Sequence, residues 1–176
     1  MKKNVAVVGY GGQGGWHANQ ILASDVVALA GVYDIDPAKL ELAKSRGIRA
    51  YESLDEILQD ENVEIVVVAT PNDSHKSISI SSMEAGKHVI CEKPLTGYFG
   101  MEGDVSPIGK NVPKRKMYEE LLVSMERIRE AVDRSGKKFM YAENFIYAPA
   151  VQKIAEVIAK KKSRILCLKG EESLKG

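Results

Sequence analysis

The sequence feature that most constrains the fold is an apolar run without polar alternation, Ile65-Val66-Val67-Val68-Ala69. A strand with one face in water alternates apolar and polar side chains, so a continuous run indicates a strand buried on both faces. Similar short runs alternate along the chain with longer stretches of helical periodicity. This order predicts an α/β fold built on a doubly wound parallel sheet. About six strands are predicted, at 4–8, 26–33, 48–51, 63–69, 88–91 and 138–142.

The ends of the predicted helices carry their own signals. Asp36-Pro37 places an N-cap acceptor before a proline at the first helical position, and Ser53-Leu54-Asp55-Glu56 fits a capping box. Gly47, Gly86 and Gly136 each follow a helical stretch and precede an apolar run. We expect each of these glycines to end its helix in the left-handed conformation.

Residues 95–116 interrupt this rhythm with four glycines and two prolines. The segment is predicted to be one long loop, and loops of that length are usually functional or disordered. Helical spacing resumes from Met117 to Val132, and a last helix is predicted over 149–160. Residues 163–169 then read as a strand with no later segment to pair with it. Such a strand either frays or pairs with the same segment of a second chain. The apolar residues 165–168 favour pairing, so the chain is predicted to form a homo-oligomer at high concentration through residues 163–170.

The charge balance gives no reason to expect a nucleic-acid or membrane partner. The chain has 25 Lys and Arg against 24 Asp and Glu, a formal net charge of +1. Binding to nucleic acid or to an anionic membrane needs a concentrated basic field, which this composition lacks. The short basic runs at 114–116 and 160–162 are interpreted as solvated loop and helix-end charges. No metal site is predicted.

Two cysteines, Cys91 and Cys167, are too few for a disulfide framework. The N-terminus runs directly into the first predicted strand and has no apolar region typical of a signal peptide. No stretch reaches the roughly 18 apolar residues of a membrane span. We therefore expect a reducing compartment and a cytoplasmic protein.

The clearest chemical motif follows the first predicted strand and opens the first helix. Residues 9–14, Gly-Tyr-Gly-Gly-Gln-Gly, fit the pattern G-x-G-x-x-G, in which the glycines permit a tight turn, close approach to a pyrophosphate and close packing of helix on strand. The free N–H groups of the helix N-terminus would face the phosphates. In this position the motif predicts a Rossmann dinucleotide site. The candidate cofactor residues in this turn are Gly9, Gly11, Gly12, Gln13 and Gly14.

Asp34 ends the second predicted strand, twenty positions after Gly14. A carboxylate there would accept hydrogen bonds from the adenosine ribose and repel a 2′-phosphate, which favours NAD over NADP. The alternative, a loop aspartate that caps the next helix, suits Asp36 better.

The fourth predicted strand ends in Ala-Thr-Pro-Asn-Asp-Ser-His, residues 69–75. The carboxyl ends of such strands form the ligand crevice, so Thr70, Pro71 and Asn72 are candidate contacts for the nicotinamide half of the cofactor. Asn72 equally fits a role as the cap of the next helix. For His75, a structural role and a role in the site are both open.

The fifth predicted strand ends in Cys91-Glu92-Lys93-Pro94. A lysine at the mouth of the sheet is suited to carry a proton, so Lys93 is the candidate catalytic residue. Cys91 is interpreted as a small buried side chain and not as a nucleophile.

These segments together resemble the glucose–fructose oxidoreductase / inositol dehydrogenase (Gfo/Idh/MocA) family. The resemblance covers 9–17, 32–34, 69–75 and 86–94, and 142–149 resembles the crossing into that family's second domain. It implies an NAD(P)-dependent dehydrogenase that acts on a small-molecule sugar, polyol or related alcohol. It also places Glu92, Lys93 and Pro94 in the cofactor site, with the lysine near the substrate hydroxyl and a cis bond before the proline.

The sequence also differs from the family pattern in two ways. The loop at 95–116 is longer than is typical, and the substrate domain is absent. The domain prediction is a dinucleotide-binding domain over 1–146, followed over 147–176 by the linking helix and first strand of a truncated α+β domain. A non-catalytic NAD(P)-binding or sensing module is the alternative function. A methyltransferase is a third reading, against which the glycine spacing and Glu92-Lys93-Pro94 both argue.

Overall fold

A computed structural model of the protein describes residues 2–162 and 164–167. The chain divides into two compact units, one up to Ala142 and one from Glu143 onward. The strands are β1 (Lys3–Val8), β2 (Val27–Tyr33), β3 (Ile65–Val68), β4 (His88–Glu92) and β5 (Phe139–Ala142). The helices are α1 (Gly12–Leu22), α2 (Pro37–Ser45), α3 (Leu54–Gln59), α4 (His75–Glu84), α5 (Ile108–Asn111), α6 (Lys114–Ser135) and α7 (Pro149–Lys161).

The sheet is parallel and has the order β2-β1-β3-β4-β5. The predicted α/β fold class and the doubly wound parallel sheet are confirmed. The apolar run that suggested them is β3, which lies between β1 and β4 and is buried along Val66, Val67 and Val68. All the strand ends that carry candidate site residues therefore lie along one edge of the sheet.

Two apolar layers hold helices against the two faces of the sheet. On one face, Val8 and Val66 pack in a cluster with Ile57 of α3, Met83 of α4 and Ile128 of α6. On the other face, β1 and β3 contribute Val5, Val7 and Val67 to a cluster completed by α1 and α2. Each fully buried valine stabilises the fold by roughly 1.5 kcal/mol or more.

The predicted strand at 48–51 is wrong, and the sheet has five strands. The segment does lie beside β2, where Val32 donates to the Arg49 carbonyl at 2.9 Å and Tyr51 donates to the Val32 carbonyl at 2.9 Å. Only the bridge between Val32 and Ala50 forms. The segment therefore occupies the place of a sixth strand, but its pairing is too short to make one.

The prediction of one loop over 95–116 is also wrong in part. Helix α5 lies inside the segment, and α6 begins at Lys114, three residues before the predicted start. The basic residues at 114–116 argue against a helix start at Lys114, because positive charge is unfavourable in the first turn of a helix. Carboxylates compensate two of them: Arg115 pairs with Glu119 at 2.8 Å and Lys116 pairs with Asp104 at 2.7 Å.

The helix-end signals are confirmed. Asp36 accepts a hydrogen bond from the Ala38 N–H at 2.9 Å, and Ser53 accepts one from the Glu56 N–H at 3.1 Å. Gly47, Gly86 and Gly136 all have positive φ, between 63° and 80°.

In the second unit, α7 follows a short 3-10 turn at Asn144–Tyr147. The predicted helix at 149–160 is confirmed. Residues 164–167 form no strand, and the rest of the strand predicted over 163–169 lies outside the described residues. Among the described residues, no helix combines the length and the apolar character that crossing a bilayer requires.

Acid should weaken this fold through Asp60, which joins the segment at 48–51 to the end of α3. Its carboxylate accepts hydrogen bonds from the Asn62 N–H, the Tyr51 hydroxyl and Arg49, each at 2.9 Å. Burial raises the pKa of Asp60, but these hydrogen bonds outweigh burial and lower the pKa to about 2. A carboxyl group whose pKa is lower in the folded state than in the unfolded state stabilises the fold at pH values above its ordinary pKa. We therefore expect this stabilisation to disappear as the pH falls from about 4 to about 2.

The measurement is urea unfolding of the parent chain and of Asp60→Asn at several pH values. At pH 7 the variant should be less stable than the parent. Between about pH 4 and about pH 2 it should lose less stability than the parent, because it lacks the carboxyl group that titrates there. Glu61→Gln, an exposed neighbouring change, should follow the parent. Parallel losses in the parent and in Asp60→Asn would show that Asp60 does not cause the acid sensitivity.

Candidate cofactor and proton-transfer site

The turn between β1 and α1 depends on two glycines that touch each other. Gly9 has φ +90°, and a Cβ there would lie 2.5 Å from the Ala69 carbonyl oxygen. A Cβ on Gly14 would lie 1.7 Å from the Gly9 carbonyl oxygen. Neither position has room for a side chain, so these glycines let α1 begin directly above the end of β1.

The other glycines of the turn face open space. A Cβ on Gly11 or on Gly12 would meet no atom within 4 Å. Gly11 is the N-cap of α1, no side chain caps the helix, and its first turn has no acidic residue. The helix N-terminus therefore presents uncapped N–H groups and a partial positive charge beside an open cradle. This arrangement fits the pyrophosphate of a dinucleotide.

Asp34 is held at the edge of this cradle. Its Oδ2 accepts the Tyr10 N–H at 2.6 Å, and its Oδ1 accepts the Asp36 N–H at 2.9 Å. A carboxylate oxygen can accept more than one hydrogen bond, so both oxygens retain capacity for ribose hydroxyls. The capping role belongs to Asp36, as the sequence suggested.

The end of β3 presents Pro71 and Asn72 to solvent. They begin a 3-10 turn at Asn72–Ser74, and no side chain caps the following helix α4. The capping alternative for Asn72 therefore does not apply in this structure. The Thr70 hydroxyl accepts a hydrogen bond from Ser74 Oγ at 2.7 Å.

His75 is buried, with 1% of its surface exposed. Its Nδ1 lies 2.8 Å from the Pro94 carbonyl oxygen and its Nε2 lies 2.9 Å from the Thr70 carbonyl oxygen. Both ring nitrogens therefore face protein carbonyls and leave no polar atom for a cofactor. Instead, the ring joins the end of β3 to the turn after β4.

Glu92, the last residue of β4, is the centre of a hydrogen-bond network with α1. Its Oε1 accepts from His17 Nε2 at 2.8 Å and from Gln13 Nε2 at 3.4 Å, while its Oε2 accepts from the Lys93 N–H at 3.1 Å. Burial raises the pKa of Glu92, but the bonds from His17, Lys93 and Gln13 outweigh burial and lower its pKa. Glu92 is thus an ionised, almost buried acceptor.

The Lys93–Pro94 peptide bond is cis, as the family resemblance implied. The Lys93 side chain is exposed, and among the described residues its ammonium forms no hydrogen bond or ion pair. It therefore stands at the carboxyl edge of the sheet, free to meet a ligand.

Comparison with known proteins agrees with this geometry. Residues 3–102 match the family model Gfo/Idh/MocA, an oxidoreductase family with an NAD-binding Rossmann fold. The chain belongs to this family.

Three relatives show how much of a Gfo/Idh/MocA protein the chain represents. It is 34% identical over 94 residues to glucose-6-phosphate 3-dehydrogenase of Bacillus subtilis (strain 168), covering 53% of this chain and 26% of that protein. It is 33% identical over 94 residues to myo-inositol 2-dehydrogenase of Thermotoga maritima, covering 52% and 28%. GenD2 from gentamicin A biosynthesis, solved with NAD, matches with a TM-score of 0.72 and 31% identity over 92% of this chain and 40% of that one.

This Gfo/Idh/MocA chain thus spans about a quarter of the length of those two curated relatives. The family consists of NAD-dependent oxidoreductases, and NAD is its cofactor, as predicted. The family match includes every predicted site residue, from Gly9 to Pro94, and ends inside the long segment after β4.

The sequence did not indicate two residues that contact the candidate site. His17 lies one turn after Gln13 on α1 and so shares a face with it. That spacing was the available signal. Tyr10 was also missed: it is buried and its hydroxyl accepts a hydrogen bond from Arg46 at 2.9 Å, which links the glycine turn to the end of α2. No short-range pattern indicates that contact.

The remaining candidate for chemistry is Cys91, which is fully buried. This position confirms its interpretation as a small buried side chain. Burial also raises the pKa of its thiol to about 11, which disfavours the nucleophilic thiolate. Within residues 2–162 and 164–167, no group of three or more His, Cys, Asp or Glu side chains is arranged to hold a metal ion.

Gly14→Ala should disrupt the turn, because its methyl group would meet the Gly9 carbonyl oxygen at 1.7 Å. We expect a loss of at least about 1–3 kcal/mol in stability and loss of NADH binding. Thermal unfolding by circular dichroism measures the first. Quenching of Trp16, the single tryptophan of the chain, measures the second.

Gly15→Ala is the matched control, because a Cβ there meets nothing within 4 Å. It should keep NADH binding and gain up to about 1 kcal/mol from better helix propensity. Equal behaviour of the two alanine variants would contradict the role given to the Gly9–Gly14 contact.

Proposed function

We propose that the chain is the cofactor-binding part of an NAD-dependent oxidoreductase that acts on a sugar, a polyol or a related alcohol. When bound, NAD supplies the hydride acceptor in one direction and the hydride donor in the other. Relatives named for glucose 6-phosphate and myo-inositol support this substrate class. The observation that carries the proposal is the network through Glu92, which ties α1 to the backbone of Lys93.

The residues proposed to hold NAD lie along one edge of the sheet. Gly11, Gly12 and Gln13 place uncapped N–H groups beside the pyrophosphate, and Gly9 and Gly14 shape that turn. Asp34 accepts from the adenosine ribose. Thr70, Pro71, Asn72, Glu92 and Pro94 are proposed to line the nicotinamide end.

Lys93 is the proposed proton carrier. In the oxidative direction Lys93, as a neutral amine, would accept the proton of the alcohol hydroxyl, while the hydride of the alcohol carbon would go to the acceptor that NAD supplies. Glu92 fixes the lysine backbone from one side through its bond to the Lys93 N–H. His75 fixes the turn from the other side through the Pro94 carbonyl, and so is a positioning residue and not a cofactor contact.

The rest of the enzyme would supply the substrate contacts. We propose the division already predicted, with the dinucleotide-binding domain over 1–146 and the first elements of a second domain over 147–176. We also propose a cytoplasmic homo-oligomer without a nucleic-acid or membrane partner. The balanced charge supports the part of this proposal that concerns nucleic acid and membranes, and the two unpaired cysteines, Cys91 and Cys167, support the cytoplasmic location.

Asp34→Ala should weaken NADH binding and narrow the preference for NADH over NADPH. Hydrogen bonds to a carboxylate contribute about 1.5–3 kcal/mol, so we expect roughly a tenfold to hundredfold loss for NADH. Calorimetric titration of the parent and the variant with both cofactors measures this effect.

Asp36→Ala is the control, since Asp36 caps α2 two positions away. It should cost about 1 kcal/mol of stability and leave the ratio of the two affinities unchanged. Equal affinity of the parent chain for NADH and NADPH would refute the role proposed for Asp34.

Lys93→Met should lower turnover far more than it weakens NADH binding. Removal of a general acid–base group typically lowers the rate about 10²–10⁴-fold. The assay follows NADH formation with myo-inositol as substrate, using a longer chain that carries the substrate domain. Lys39→Met on α2 is the charge-matched control. The 176-residue chain itself should bind NADH and turn over negligibly.

A longer parent enzyme that binds NADH but oxidises no sugar or polyol would favour the alternative of a non-catalytic NAD-binding module. Full turnover by Lys93→Met would instead show that another group carries the proton.

A further inference from the structure

A small pocket lies on the side of the sheet covered by α4 and α6, the face opposite to α1. Its volume is about 230 Å³. One wall is the segment that follows Pro94, represented by Tyr98 and Phe99. The floor and the other wall come from Lys76 in the first turn of α4 and from one stripe of α6. We call this cavity the insert pocket; its polar lining residues are Lys76, Glu120, Ser124 and Arg127.

The wall of the insert pocket is held in place by a single carboxylate. Asp104 accepts hydrogen bonds from the Tyr98 hydroxyl, from the Met101 N–H at 2.8 Å and from Lys116 at 2.7 Å. The bonds from Lys116 and Tyr98 lower the pKa of Asp104 to about 2, so the carboxylate is ionised at neutral pH. Asp104 therefore links Tyr98 and the backbone of Met101 to Lys116 of α6.

The charges in the insert pocket are not satisfied within the described protein. Three of the four arginines of α6 pair with carboxylates: Arg115 with Glu119, Arg129 with Glu126 and Arg134 with Glu84. The fourth, Arg127, has no hydrogen-bond or ion-pair partner among residues 2–162 and 164–167.

Lys76 also has unused hydrogen-bond donors. Its ammonium has three donors and makes one hydrogen bond, to Ser124 Oγ at 3.1 Å. Glu120 lies on the same stripe of α6 as Arg127, yet the described structure shows no ion pair between them. Two cations, of which Arg127 is exposed, thus line a small, partly aromatic cavity with one hydroxyl and one carboxylate, and positive charge exceeds negative charge in this lining.

We propose that the insert pocket binds the phosphoryl group of a small phosphorylated ligand. Arg127 can present two parallel N–H donors to phosphate oxygens, and Lys76 adds a point charge with free donors. Ser124 supplies a hydroxyl, and Glu120 can accept from a hydroxyl of the ligand. The volume suits a compact group and is too small for a dinucleotide. The pocket shares no residue with the glycine turn, so this proposal stands independently of the proposed function.

The experiment titrates the full 176-residue chain by calorimetry in a buffer without phosphate, with inorganic phosphate and with glucose 6-phosphate as separate probes. We expect saturable binding of the probes by the parent chain. Arg127→Gln and Lys76→Gln should each weaken it about tenfold or more, because each removes charged hydrogen bonds. Asp104→Asn should also weaken binding without touching the ligand, since it releases the wall.

The matched control is Arg129→Gln, which makes the same charge change on the same helix outside the insert pocket. It should change phosphate affinity by less than about twofold. NADH affinity, measured in parallel, should be unchanged in Arg127→Gln. Each variant is first shown by circular dichroism to be folded.

Tighter binding of glucose 6-phosphate than of phosphate, lost in Arg127→Gln, would identify a sugar phosphate as the ligand class. Equal binding of the two probes, lost in the same variant, would identify the phosphoryl group alone as the recognised feature. The proposal is overturned by absence of saturable binding of both probes up to about 10 mM, where affinity falls below about 3 kcal/mol. It is equally overturned if Arg129→Gln weakens binding as much as Arg127→Gln.

Discussion

Helix α1 can begin where β1 ends only because Gly9 and Gly14 meet without side chains. The space that a Cβ on Gly14 would need is already taken by the Gly9 carbonyl oxygen. This contact aims the uncapped N-terminus of the helix at the carboxyl edge of the sheet, and it sets the rotation of the helix. With Gly14, Ala18 and Ile21 buried against the sheet, Gln13 and His17 are turned toward β4. The glycine turn and the strand end that precedes Lys93 are therefore positioned by one close approach of two backbone segments.

Glu92 depends on that rotation. A carboxylate this deeply buried would be costly without partners, because removal from water disfavours the charge. Donors from α1 and from its own strand end outweigh that cost and keep it ionised. His75 serves the neighbouring strand in a similar way by bridging the Thr70 and Pro94 carbonyls. Glu92 and His75, which contribute little exposed surface, thus fix the turn that carries Lys93. The position of the exposed lysine is defined by these two side chains.

The segment after Pro94 shows how this scaffold accommodates additional structure. It leaves the carboxyl edge of the sheet and contains the short helix α5. Asp104 pins part of the segment to α6 through Lys116. Apart from Leu95, this segment contributes no residue to the two apolar layers, so it can lengthen with little effect on the core. The insert pocket lies there, on the face opposite to α1, where Arg127 and Lys76 have no anionic partner within residues 2–162 and 164–167.

The sequence by itself determined the fold class, the helix ends and the glycine turn, because each depends on neighbouring residues: β3 on a continuous apolar run, α2 and α3 on their caps, the turn on glycine spacing. It also predicted roles for Asp34 and Lys93 from their places at strand ends. Only the tertiary structure decided what those local signals could not reach. The segment at 48–51 has strand-like residues but finds pairing for a single bridge, and α6 starts early because a distant aspartate compensates Lys116. His75 contacts Pro94, which lies 19 positions along the chain, and His17 contacts Glu92, which lies 75 positions along it. Such contacts follow from packing and not from a local sequence pattern.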